Sequence, residues 1–143
     1  MKTIMSCLAL VALVVFTSAA FAQGPTLTSV EAKFDTTTDN KNGDSELDVY
    51  VRNKDEQEVA KSEGNEGVWD KHSSHSVTLQ IEGTPSKAEV AKGSILLTFH
   101  PHRADEWKFN YKITLTFSDR SSITKELFGG VLTQYKIIRT DPL

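Results

Sequence analysis

The stretch from Trp107 to Phe117 alternates strictly between apolar and polar residues, and this alternation constrains the fold more than any other feature. Its apolar members are Trp107, Phe109, Tyr111, Ile113, Leu115 and Phe117. In a helix these side chains would spread around the axis, whereas in a strand they all point to one side. The pattern therefore predicts a long central strand with one buried face.

Shorter runs repeat the same alternation along the chain. They predict strands at 30–34, 47–51, 58–61, 77–81, 95–99, 122–128 and 131–138. Gly129-Gly130 is predicted to form the tight hairpin turn between the last two strands. Residues 85–92 are compatible with one helical turn. Short strands with polar turns at this spacing predict an all-β fold, an antiparallel two-sheet β-sandwich of about seven to eight strands.

The first residues have the pattern of a secretory signal. Lys2 supplies a positive charge, residues 8–19 are apolar or small, and Ala20-Phe21-Ala22 matches a signal-peptidase site. The apolar run is shorter than the ~20 residues that span a bilayer. The sequence thus predicts cleavage after residue 22 and a single domain at 23–143, secreted or periplasmic and without a transmembrane segment.

Cysteine and charge narrow the function classes further. Cys7 is the only cysteine and lies in the predicted signal, so the mature domain has no disulfide and no thiol nucleophile. The formal net charge of −3 argues against a nucleic-acid partner, which requires a basic surface. Lipid, carbohydrate and protein remain as ligand classes.

An acidic loop after the first predicted strand is a candidate calcium site. Calcium prefers carboxylate and amide oxygens on a flexible loop. An EF-hand does not fit, because Gly43 as the loop glycine places Val49 where a bidentate glutamate belongs. A site assembled from several loops remains, with the ligands Asp39, Asn42, Asp44 and Asp105. The alternative is a solvated turn whose side chains cap backbone groups.

Histidines and a loop tryptophan are the other candidates. His100 and His102 flank Pro101, and alternate residues of an extended chain face the same side, so both could bind one zinc or copper ion. Trp69 lies in a polar loop, where its ring could contact a ligand or cap the core. The sequence has no G-x-S-x-G or H-E-x-x-H motif.

Two segments of the chain resemble the PLAT/LH2 family of β-sandwich domains, which are related in shape to C2 domains. One is the polar turn that leads into Asp44-Ser45-Glu46-Leu47-Asp48-Val49-Tyr50-Val51, and the other is Asp105-Glu106-Trp107-Lys108-Phe109. The resemblance implies a module that docks to lipids, membranes or proteins, in some members with calcium. For a member of that kind, the resemblance implies that Asp39, Asp44 and Asp105 are calcium ligands.

We therefore expect a secreted, non-catalytic binding module that binds lipid, carbohydrate or protein through loops 35–45, 62–74 and 100–106 at one end. Calcium in the acidic loop could be required for this binding. One alternative is a small metal-dependent secreted hydrolase that uses His and Asp ligands. Another is a structural or inhibitory protein that binds through an edge strand.

Overall fold

The computed structural model of the chain describes residues 24–143. The predicted signal at 1–22 lies outside these residues. The described chain forms nine strands and one short helix. They are β1 Leu27–Thr36, β2 Glu46–Arg52, β3 Glu58–Asn65, β4 Ser74–Thr78, β5 Gln80–Ile81, α1 Lys87–Val90, β6 Ser94–His100, β7 Glu106–Phe117, β8 Ser122–Thr133 and β9 Ile138–Pro142.

The strands form two sheets, and all pairings between them are antiparallel. One sheet has the order β4-β1-β7-β8 and the other the order β5-β3-β2-β6-β9. The predicted all-β, two-sheet antiparallel sandwich is confirmed, with nine strands rather than seven or eight. No helix within residues 24–143 is long and apolar enough to cross a membrane.

The core lies between the sheets, and β7 contributes its whole apolar face. Every alternate residue of β7 from Trp107 to Phe117 is buried, while its polar residues face outward. Opposite it, β2 and β6 contribute aliphatic side chains such as Leu47 and Leu97. Each such side chain stabilises the fold by about 1.5–3 kcal/mol when fully buried, so the alternation that predicts β7 also supplies the core.

The segment predicted as one strand at 77–81 is divided between the two sheets. Val77 belongs to β4 and pairs with β1, whereas Ile81 belongs to β5 and pairs with β3. Leu79 lies between them and is buried, and its N–H donates to the carbonyl of Val30. The alternation continues where the chain passes from one sheet to the other, because the inner faces of both sheets pack on the same core.

The prediction of a hairpin turn at Gly129-Gly130 is wrong, since β8 continues through both glycines. The pairing changes from Phe109↔Gly130 to Tyr111↔Leu127, so two residues of β8 stand opposite Asn110. This is a β-bulge with Gly129 at φ 66°. A Cβ on Gly130 would lie 2.9 Å from the Phe109 ring. The turn comes later, between Thr133 and Lys136.

The predicted helical turn at 85–92 is confirmed as α1. The Ser86 side chain accepts a hydrogen bond from the Glu89 N–H, and the Glu89 carboxylate accepts from the Ser86 N–H. This capping box satisfies amide groups that the first turn leaves unpaired. The Ser86 hydrogen bonds lower the pKa of the Glu89 carboxyl.

Four connections meet at one end of the sandwich, which we call the loop end. They are residues 37–45, 66–73, 101–105 and 134–137. The registers Thr36↔Phe109, Glu46↔His100 and Glu106↔Thr133 align the adjoining strand ends. The three loops expected to form the binding end are thus brought together, and the β8–β9 crossover joins them.

Candidate binding surface at the loop end

A buried lysine lies at the centre of the loop end. Lys41 is 0% exposed. Its Nζ donates hydrogen bonds to the carbonyls of Ser45, Gly67 (2.9 Å) and Asn42 (3.3 Å). The same atom lies 5.1 Å from the centre of the Trp69 ring, a cation–π distance. Because these groups belong to two different connections, the ammonium holds the connections together.

The surroundings of this ammonium act on it in opposite directions. Burial lowers the pKa of Lys41 below its ordinary value, whereas nearby carboxylates, Asp105 foremost, act to raise that pKa. A buried charge is tolerated only where polar groups replace its water shell. Here the carbonyls and the aromatic ring take that role.

Carboxylates fix the other contacts between the connections. Asp105 is 5% exposed, and its Oδ2 accepts a hydrogen bond from the Asn42 N–H at 3.1 Å. The Asp39 carboxylate lies 2.7 Å from the Lys108 Nζ. That contact lowers the pKa of the Asp39 carboxyl. The loop end is therefore held by specific side-chain contacts as well as by strand pairing.

Two histidine–aspartate pairs lie where β2 and β6 adjoin the loop end. The Nε2 of His100 lies 2.8 Å from the Oδ2 of Asp48, and the Nδ1 of His102 lies 2.7 Å from the Oδ2 of Asp44. Asp48 is fixed in turn, since its Oδ1 accepts a hydrogen bond from the Gly64 N–H at 2.7 Å. Each imidazole thus has one nitrogen next to a carboxylate.

An open groove lies beside these pairs, and we call it the His–Asp groove. Its lining includes Asp44, Glu46, His100, Pro101, His102 and Ile137. A second hollow lies next to the crossover, lined by Ala104, Asp105, Glu106, Thr133, Gln134 and Tyr135. The lining of the His–Asp groove contains two carboxylate residues and no lysine or arginine, so this groove is acidic. In the second hollow, Glu106 is paired with Lys108 at 2.8 Å.

Exposed apolar side chains are concentrated at the loop end. In the described part of the chain, the large ones are Val68, Phe128, Tyr135, Ile137 and Ile138. All except Phe128 lie on or next to the loop-end connections, and Tyr135 is 90% exposed. Clustered apolar surface of this kind marks an interaction site more often than scattered residues do.

Trp69 lies in the core, which is the capping role that the sequence left open beside ligand contact. The indole is 5% exposed and stacks on the His75 ring, with centroids 4.8 Å apart. It also meets the Trp107 ring edge-on at 5.2 Å. A stacking ligand needs a free ring face, and Lys41 and His75 occupy this ring. The structure corrects the surface contact to a buried cap.

The four predicted calcium ligands lie in one loop cluster but do not face one point. Asp39 contacts Lys108, Asp44 contacts His102, and Asp105 accepts from the Asn42 backbone. Over residues 24–143, no three His, Cys, Asp or Glu side chains form a group that could hold a metal ion. Calcium binding stays a prediction.

Sequence reasoning missed three residues of this surface. Lys41 sits in a polar loop, and nothing in its neighbours signals burial. Tyr135 and Ile137 fall in the run 131–138, whose alternation suggested a strand and concealed the crossover. β8 passes through a β-bulge at Gly129 and ends at the Thr133–Lys136 turn, and a bulge has no distinct pattern in one sequence.

Comparison with known proteins assigns no family. No family model matches the chain, and no curated protein sequence matches it. The PLAT/LH2 resemblance therefore stays a prediction.

Proposed function

We propose that this protein is a secreted, non-catalytic binding module that binds neutral carbohydrate at the loop end. The observation that carries the proposal is the exposed Tyr135 ring, which lines a hollow together with hydrogen-bonding groups of Glu106, Thr133 and Gln134. Sugar rings combine apolar faces with hydroxyl groups. An exposed aromatic ring and nearby carboxylate, amide and imidazole groups complement both features.

The charge of the hollows favours a neutral ligand. Asp44 and Glu46 line the His–Asp groove, whose lining has no lysine or arginine, whereas Glu106 in the second hollow pairs with Lys108 at 2.8 Å. Anionic lipid headgroups are attracted by basic segments and repelled by acidic ones. A neutral polysaccharide meets no such penalty, and its hydroxyl groups can donate hydrogen bonds to the carboxylates.

The rigidity of the surface also supports binding. Lys41, Asp105 and Lys108 tie the connections beneath it to one another. A preorganised surface loses less conformational entropy when a ligand binds, so more of the contact energy appears as affinity.

Affinity electrophoresis of the secreted protein against a panel of neutral polysaccharides (β-glucan, xylan, galactomannan) tests the proposal. At least one should retard the protein, and Tyr135→Ala should abolish the retardation. Phe128→Ala is the matched control, because Phe128 is also an exposed aromatic residue, 75% exposed, but lies on β8 away from the loop end. It should leave retardation unchanged.

Two further arms separate the other ligand classes. Binding to phosphatidylserine vesicles without binding to any polysaccharide would overturn the carbohydrate proposal in favour of lipid docking. An equal loss of retardation in Tyr135→Ala and Phe128→Ala would show that the loop end is not the carbohydrate-binding surface. Repeating the assay with chelator and with added calcium tests the calcium dependence that the acidic loop predicts.

A further inference from the structure

The two histidine–aspartate pairs have a consequence that does not depend on carbohydrate binding. The Nε2 of His100 is hydrogen-bonded to the Asp48 carboxylate, and the Nδ1 of His102 lies 2.7 Å from the Asp44 carboxylate. Within residues 24–143, the opposite nitrogens, Nδ1 of His100 and Nε2 of His102, have no protein hydrogen-bond partner. A neutral imidazole that donates from one nitrogen carries a lone pair on the other.

A carboxylate next to one imidazole nitrogen is also the usual support of a metal-binding histidine. It fixes the ring and its tautomer, and it makes the opposite nitrogen a better ligand. Asp48 is itself held by the Gly64 N–H at 2.7 Å, and the Tyr50 hydroxyl lies 3.4 Å from its other oxygen. The orientation of His100 is thus set by a carboxylate that is already fixed.

Both rings line the same groove, and both are about half exposed. The side chains of His100 and His102 are 50% and 59% exposed. Pro101 separates them just after the end of β6, and the side chains of both histidines line the groove. The groove also contains Asp44 and Glu46, whose negative charges favour a cation there.

We propose that the His–Asp groove binds one divalent transition-metal ion through the Nδ1 of His100 and the Nε2 of His102. Imidazole ligands select copper, nickel and zinc over calcium and magnesium, and Cu²⁺ binds most tightly in this series. No third His, Cys, Asp or Glu side chain completes the group in the described chain. The other coordination positions are therefore filled by water or by a bound ligand.

Titration of the tag-free protein with Cu²⁺, followed by calorimetry and electron paramagnetic resonance, tests this proposal. We expect one ion per chain and hyperfine coupling to two imidazole nitrogens. His100→Asn and His102→Asn should each lower the affinity at least tenfold and remove one nitrogen coupling. Asp48→Asn should lower the affinity about tenfold and keep both couplings, because second-shell changes weaken binding without removing a ligand.

His72→Asn is the matched control. His72 lies in a loop-end connection at φ 60°, a conformation that asparagine also tolerates. This variant should bind Cu²⁺ like the parent protein. Affinity that survives both His100→Asn and His102→Asn, or that falls equally in His72→Asn, would overturn the proposal and identify an adventitious site.

A measurement on the unaltered protein covers the case in which a variant misfolds. Cu²⁺ is paramagnetic and broadens the NMR signals of nearby nuclei. Substoichiometric Cu²⁺ should broaden the ring signals of His100 and His102 before those of His72 and His75. Uniform broadening of all four histidines, or earlier broadening of His72, would contradict the assignment.

Discussion

The two ends of the sandwich are built differently. At the loop end, a buried ammonium and a buried carboxylate hold the connections, and large apolar side chains remain in solvent. At the opposite end, the turns satisfy their own backbone. Asn53 accepts hydrogen bonds from the N–H groups of Asp55 and Gln57, α1 carries its capping box, and Val90 is fully buried.

The two ends therefore differ in where they place charged and apolar groups. The opposite end buries its apolar residues and exposes polar turns, which is what a sandwich needs to remain folded in water. The loop end places charge inside and apolar area outside, which costs stability unless a ligand covers that area.

Trp69→Ala should have the largest effect on stability. Compared with Tyr135→Ala, it contrasts a buried aromatic side chain of the loop end with an exposed one. Removing an indole that is 5% exposed leaves a cavity next to Trp107 and Lys41. We expect a loss of about 3–5 kcal/mol in the free energy of unfolding. Tyr135→Ala, at 90% exposure, should change it by less than about 0.5 kcal/mol.

Urea denaturation followed by circular dichroism measures both variants, since it does not depend on tryptophan fluorescence. A small loss in Trp69→Ala, with a loss of ligand binding, would return the indole to a surface role and contradict the buried cap.

Lys41→Met tests whether the ammonium organises the loop end. Methionine fills most of the volume but leaves the carbonyl of the buried Ser45 without its donor, whereas Gly67 is exposed and its carbonyl can bind water. A buried polar group left unpaired costs about 1–3 kcal/mol, so we expect a loss of up to about 3 kcal/mol. The control at the opposite end is Lys54→Met. Lys54 pairs with Asp55 in solvent, and its removal should cost at most about 1 kcal/mol.

Denaturant midpoints of the two lysine variants give this comparison directly. Equal midpoints would show that the carbonyls find water or other donors when the lysine is absent. The loop end would then not depend on its internal charge.

Two glycine substitutions compare how closely each end is packed. A Cβ on Gly93, at the opposite end, would lie 1.9 Å from the Arg52 carbonyl oxygen, so the backbone must move. Gly93→Ala should cost about 2 kcal/mol. A Cβ on Gly43, at the loop end, would lie 3.0 Å from the exposed Val68 side chain, and the nearest backbone atom would be at 3.7 Å, an ordinary van der Waals contact. Because that side chain can rotate away, Gly43→Ala should cost less than about 1 kcal/mol.

Thermal unfolding of both alanine variants is sufficient for this test. A larger drop in melting temperature for Gly43→Ala than for Gly93→Ala would mean that the loop end is the more closely packed of the two.

Local alternation predicted the sandwich because each strand has one core face. The Trp107–Phe117 pattern identified β7 together with all of its core residues, since period two leaves only one way to bury these side chains. The same rule failed at 77–81 and at Gly129-Gly130. A strand that changes sheets keeps its alternation, and two glycines serve a bulge as well as a turn. Pairing partners decide both cases, and they are distant in sequence.

The candidate site was predictable in its location but not in its contacts. The polar loops and the ends of the strands indicated where Asp44, His102 and Asp105 would gather. Which group each would meet depends on side-chain geometry across connections, as the Asp105–Asn42 contact at 3.1 Å shows. The burial of Lys41 contradicts the usual preference of lysine for solvent, so composition could not reveal it.

The smallest effect we predict is a dependence of the loop end on alkaline pH, measured as the stability difference between the parent protein and Lys41→Met. Burial lowers the folded-state pKa of Lys41 below the ordinary value of 10.5. Between these two values the unfolded chain binds more protons than the folded one, so Lys41 makes the parent protein more stable as pH rises.

The difference between the two proteins is needed because tyrosines act in the opposite direction. Burial raises the pKa of Tyr111, so the unfolded state loses its proton first and stability falls above about pH 10. That loss occurs in both proteins and cancels. Urea unfolding at intervals from pH 7 to 10 should therefore show the parent gaining stability relative to Lys41→Met. A constant or shrinking advantage would mean that the folded protein binds the Lys41 proton at least as tightly as the unfolded chain, and that the carbonyls and Asp105 outweigh the cost of burial.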